Sequence, residues 1–327
     1  MMKSRVVLSF LLFILTCLCQ AQTSIADSAL IPVDKKVRVG RLDNGLTYYL
    51  RYNNWPEKRA CFYLAQRVGS LQEEDNQRGL AHFLEHMCFN GSEHFPGNSV
   101  DSFFESIGAN DGVNAYTSIE ETVYNIDDFP TDIGQEKLDS CLLVLYDWAN
   151  GLLLDSVEIE KERGIIHEEW RSRRSATSRI YERQLPILYP GSKYGHRNPI
   201  GLMEVVDSFK HQELRDYYEK WYNPENQCVV IVGDIDVDGI EAKIKQLFGG
   251  IQPKGQSGKV VREDVADHKG IIFSIDCDKE LQENSVFLMF KHKAYTPEQR
   301  KYVSYWRDIN KTNAALDMLN TRFGDEA

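Results

Sequence analysis

Apolar and polar residues alternate along this chain in runs that change period from two to about 3.6, so short strands and amphipathic helices follow one another. Val37–Leu42 and Leu46–Tyr52 flank Asn44-Gly45, the strongest short-range hairpin signal. Arg59–Val68 reads as another strand. Leu80, Phe83, Leu84 and Met87 then fall at helical spacing, predicting a helix from about Asn76. Val100, Phe103, Phe104 and Ile107 predict a second, capped by Asn98 or Ser99 and ended by Gly108. Asn114–Ser118 and Thr122–Ile126 are short strands. Helices follow over about Ile133–Leu154, Glu158–Trp170, Leu214–Tyr222 (stopped by Asn223-Pro224) and Asp238–Gly250, with a buried strand at Val229–Val232. The pattern predicts an α+β fold, a mixed and largely antiparallel sheet with helices packed on it. We place a complete domain over residues 36–250 and a linker over 251–263, where Gly, Pro, Ser and Lys cluster. Strands at Ile271–Ile275 and Ser285–Phe290 and a helix at Asn310–Phe323 read as the opening of a second domain, 264–327, left incomplete at Ala327.

Residues 1–21 form a separate segment. Lys3 and Arg5 precede the run Val6–Cys19, which has no acidic residue, and Ala21 ends it. That is the layout of a secretory signal, too short to span a bilayer comfortably. The expectation is an exported protein, periplasmic or extracellular, with residues 22–35 as an N-terminal extension. Membrane attachment as a lipoprotein through Cys17 or Cys19 is the rival reading, although Thr16 and Leu18 fit poorly before such a cysteine. Five further cysteines, Cys61, Cys88, Cys141, Cys228 and Cys277, are scattered and lack a Cys-x-x-Cys pair. They predict neither a disulfide framework nor a thiolate metal site, though they allow a single bridge.

With 42% hydrophobic and 27% charged residues, the chain has the composition of an ordinary globular protein. Its net charge of -11 argues against nucleic acid as a partner.

The candidate chemistry sits in the first predicted helix. His82 and His86 are four apart, so both imidazoles lie on one face, and Glu85 stands beside the second. Two imidazoles on one face can hold one Zn²⁺, whose bound water loses its proton near pH 7, with a glutamate close enough to accept it. His-x-x-Glu-His is the order of the inverted zincins. The competing reading is an amphipathic helix with two half-buried histidines. A zinc site built on two histidines calls for a third ligand, and a carboxylate is the expected one. Glu162 and Glu169, seven apart, share one face of the helix over Glu158–Trp170; Glu168 lies one step round it.

Gly69-Ser70, Glu74, Gly79–Met87 and Phe89-Asn90-Gly91 closely resemble the pitrilysin/insulinase/mitochondrial-processing-peptidase family of zinc metallopeptidases. Glu162-Arg163 followed by Glu169 is similar to that family's downstream helix. The resemblance implies one Zn²⁺ per chain bound by His82, His86 and Glu169, with Glu162 orienting a ligand and Glu85 as general base. It also implies that Asn114 and Ala115 belong to an edge strand on which peptide substrates add. The activity so implied is a zinc-dependent endopeptidase or oligopeptidase acting on short or unfolded peptides. Long members of the family carry two further domains that help hold substrate, and nothing here matches them. A complementary C-terminal half or a homo-oligomer is therefore the partner expected besides peptide. The alternative is a non-catalytic subunit that binds peptide or a partner.

Overall fold

A computed structural model of the chain describes residues 26–254 and 256–326. The signal reading for residues 1–21 lies outside the described residues. Contacts divide the chain into two units: residues 35–284, and residues 26–34 with 285–326.

The larger unit is built on a six-stranded sheet of β1 (Arg38–Arg41), β2 (Thr47–Tyr52), β3 (Arg59–Gln66), β4 (Val113–Thr117), β5 (Thr122–Pro130) and β6 (Gln227–Gly233). The spatial order is β1-β2-β6-β3-β5-β4. Only β2 and β6 pair in parallel; every other neighbouring pair is antiparallel. Alternate residues of β3 and β6, among them Phe62, Leu64, Val229 and Ile231, are fully buried, as a two-residue period requires. β4 is an edge strand.

Helices cover the sheet: α1 (Leu80–Met87), α2 (Ser99–Ser106), α3 (Gln135–Asn150), α4 (Ser156–Arg173), α5 (Ala176–Leu188), α6 (Met203–Ser208), α7 (His211–Trp221) and α8 (Val237–Phe248). In α1, Leu80, Phe83, Leu84 and Met87 join the core with Trp148 of α3, which is wholly buried and donates its indole N–H to the carbonyl of Cys88, 3.0 Å away. α1 begins at Leu80 rather than near Asn76. Two 3₁₀ turns, Ser70–Gln72 and Asp75–Gln77, precede it, and Gly79 enters the helix at φ +111°, a conformation that L side chains avoid. Gly201 crosses just there, and a Cβ on it would lie 2.3 Å from the Gly79 Cα.

Two differences from the sequence reading stand out. α5 was not foreseen, because Pro186 in its last turn breaks the periodic signal. Conversely, 271–275 and 285–290 are apolar but form no strands. Ile275 is 97% exposed and Val286 96%, and a strand needs a ladder partner that no described segment gives them. The five described cysteines are free thiols.

In the smaller unit, Leu30 bridges to Tyr302, and the long helix α9 (Val303–Glu326) starts where the Val303 N–H donates to the Ala29 carbonyl, 2.9 Å away. The helix predicted over 310–323 lies within it. Among the described residues no helix is long and apolar enough to cross a membrane.

Candidate active site

α1 lays His82, Glu85 and His86 against α4, and β4 runs alongside. The Nε2 atoms of His82 and His86 lie 3.4 and 3.2 Å from the same oxygen of Glu169, Oε2. These three side chains form a group able to hold a metal ion. The geometry can be tested directly: donors about 2.0–2.1 Å from a tetrahedral Zn²⁺ stand roughly 3.3–3.4 Å apart, which is the spacing found. The donor set, two imidazoles and one carboxylate, also leaves a fourth position for water, so the residues fit the ion.

Each ligand candidate is held from behind to a different degree. His86 donates from Nδ1 to Oε1 of Glu162 at 2.7 Å, which turns its Nε2 toward Glu169. Asn90 donates to the other Glu162 oxygen at 2.6 Å. Asn90 lies three residues past the end of α1, in the turn that follows the helix. His82 is buried and its Nδ1 has no hydrogen-bond partner among the described residues. Glu169 receives Arg173 on its second oxygen at 2.7 Å. Burial alone would lower the His86 imidazole, but hydrogen bonds to Glu162 and Glu169 outweigh it and push it up to about 9. The same contacts, from His82 and then His86, hold the Glu169 carboxyl well below the usual carboxylate range.

Glu85, nearly buried, accepts a hydrogen bond from Thr117 Oγ1 at 2.5 Å. Thr117 and Ala115 share the inward face of β4, while Asn114 points outward. The sequence reading singled out Asn114 and Ala115 but passed over Thr117, because a strand-to-helix contact leaves no spacing signal. Another residue missed is Glu73. It is wholly buried, and its Oε1 accepts from the backbone N–H of Ala81 at 2.9 Å, so it caps the first turn of α1 from outside the helix. Glu168 pairs with Arg171 on the exposed face and His167 with Asp207, both away from the group. His196 lines a separate cavity and does not join it.

Two family models match the chain: insulinase (peptidase family M16) over residues 50–189, and the peptidase M16 inactive domain over residues 208–327. The chain belongs to peptidase family M16, of the insulinase and pitrilysin type, and falls within the N-terminal half of that family's long members. It is 38% identical over 267 residues to the probable zinc protease PqqL of Escherichia coli K12, covering 81% of this chain and 28% of that protein. A zinc protease PQQL-like protein of Arabidopsis thaliana is 35% identical over 286 residues, covering 86% of this chain and 29% of the relative. The crystal structure of the periplasmic protease PqqL from Escherichia coli superposes with a TM-score of 0.68 at 38% identity, over 73% of this chain and 26% of that one. The chain thus spans under a third of the length of these relatives.

Proposed function

We propose that this chain carries the zinc centre of an endopeptidase or oligopeptidase that cleaves short or unfolded peptides. The observation that carries the proposal is the convergence of two imidazole nitrogens and one carboxylate oxygen beside Glu85. His82, His86 and Glu169 would hold one Zn²⁺, and Glu162, fixed by Asn90, would orient His86. When bound, the ion supplies Lewis acidity toward a water and the peptide carbonyl. Glu85 takes the proton of the attacking water on its carboxylate and returns it to the leaving amine nitrogen. Thr117 keeps that carboxylate aimed. The open edge of β4, at Asn114 and Ala115, pairs with the main chain of an extended peptide, whose own sequence such pairing does not restrict.

We further propose a complementary C-terminal portion or a second copy of the chain as the partner on which full activity calls. Export is part of the same reading: residues 1–21 have the layout of a signal, and the E. coli relative is described as periplasmic. Lipid attachment at Cys17 or Cys19 is its variant.

A mixed oligopeptide library tests the proposal. It is offered with zinc to the chain alone and to the chain plus a separately produced C-terminal portion of a relative. Hydrolysis that appears or rises on complementation, and is lost in Glu85→Gln at unchanged zinc content, is expected. Bound zinc with no hydrolysis in either case would instead favour a non-catalytic, peptide-binding subunit.

A further inference from the structure

Two cavities open on either side of the Glu85–His86 step, and they carry different charge. One, of about 490 Å³, is lined by Asp101, Glu105, Glu85 and Glu162 and by no lysine or arginine. The other, of about 480 Å³, shares Glu85 and holds Arg173 and Arg174 together with Glu169 and Glu182, so it is less negative than the first rather than positive. On the first side Glu162 is engaged by His86 and Asn90, so Asp101 and Glu105 are the carboxylates left to meet an incoming charge. On the second, Arg173 is tied to Glu169, while Glu182 accepts from the neutral amide of Asn198 at 3.2 Å and keeps its charge. The Arg174 guanidinium stacks 4.4 Å from the centroid of the Trp170 ring and is the cation of this cavity with no ion pair among the described residues.

β4 connects the two cavities and gives them a direction. Asn110 and Val113, before and at its start, line only the acidic cavity; Tyr116 and Thr117, at its end, line only the arginine cavity; Asn114 and Ala115 line both. A peptide added to the open edge in antiparallel sense continues the β5–β4 ladder and takes the more stable pairing. It therefore runs opposite to β4. Its residues before the scissile bond lie along Tyr116 and Thr117, by Arg174. Those after the bond lie along Val113, by Asp101 and Glu105.

Resting on the peptidase reading above, we propose that the site selects peptides by charge polarity. It takes a carboxylate side chain on the N-terminal side of the scissile bond, met by Arg174, and a lysine or arginine on the C-terminal side, met by Asp101 and Glu105. These groups are partly solvated, so the selection is moderate and weakens with salt.

The probes are three phosphinic pseudo-peptides, in which a phosphinate replaces the scissile amide, binds the zinc and fixes the register. One is flanked by alanines only. A second has Glu before the phosphinate and Lys after it, and the third has the two exchanged. Their Kd values are measured by calorimetry on the zinc-loaded chain and on a D101N/E105Q/R174Q variant whose fold and zinc content are checked. The Glu-before, Lys-after peptide should bind about tenfold tighter than its exchanged partner, equivalent to ~1.4 kcal/mol. In the variant that ratio should approach one. A ratio of one or an inverted ratio in the unaltered chain, with the alanine peptide bound, overturns the charge polarity and leaves the peptidase reading standing. Failure of the alanine peptide to bind both the zinc-loaded chain and the chain complemented with a C-terminal portion of a relative removes the peptidase reading and the selection with it.

Discussion

His86 reaches Glu162 at 2.7 Å across 76 residues of sequence, and that contact joins the histidine helix to the glutamate helix. It fixes which imidazole nitrogen is turned toward Glu169. Replacing a carboxylate that orients a histidine ligand costs about 10–100-fold in metal affinity. Glu162→Gln should therefore weaken zinc binding by that order in chelator competition, and Asn90→Ala by less. Equal zinc affinity in Glu162→Gln would show that the contact orients nothing.

Thr117 Oγ1 donates to Glu85 at 2.5 Å. A hydrogen bond to a charged group contributes about 1.5–3 kcal/mol. Thr117→Val, which keeps the shape, should lower kcat on an oligopeptide at least about tenfold while zinc content stays unchanged. An unchanged kcat in the complemented enzyme would mean that Glu85 is positioned by other means.

Glu73 predicts a pH effect on stability. Burial pushes its carboxyl from 4.5 up to about 8, against hydrogen bonds from Ala81 and Gly79 and the charges of Arg197 and Arg78. Between these values the folded chain keeps a proton that the unfolded chain has released. The stabilisation is thus full below about pH 4.5, falls by roughly 1.4 kcal/mol per unit as pH rises, and is lost above about pH 8. Urea unfolding at pH 5, 6.5 and 8 should show this slope, and Glu73→Gln should remove this part of it. A slope identical in the two proteins would contradict the assignment.

Trp148 fills the core beneath α1 and holds the carbonyl of Cys88 at its end. Trp148→Ala should cost about 3–5 kcal/mol in urea unfolding and loosen zinc binding as α1 shifts. A loss below about 1 kcal/mol would show that α1 is anchored elsewhere.

The candidate site was legible in the sequence where its geometry is local. His82, Glu85 and His86 lie within two turns of one helix, and Glu162 and Glu169 share a face of another, so spacing alone aligned each set. That the two sets meet came only from the family resemblance, since no periodicity reports a contact across 76 residues. Thr117 and Glu73 act through side chains that cross between elements, and local pattern is silent there. In the fold, the hairpin at Asn44-Gly45 and the strand at Gln227–Gly233 were strongly marked by turn residues and apolar runs. α5 was hidden by its proline. The runs at 271–275 and 285–290 have strand-like side chains, but pairing is a property of two segments, and composition describes only one.

The zinc content of the purified chain, after loading and removal of excess metal, decides whether His82, His86 and Glu169 form a metal centre. One zinc per chain is expected, retained in Glu85→Gln and largely lost in each of His82→Ala, His86→Ala and Glu169→Ala, with all variants folded. No bound zinc in the folded chain, or zinc unaffected by those three substitutions, would contradict it.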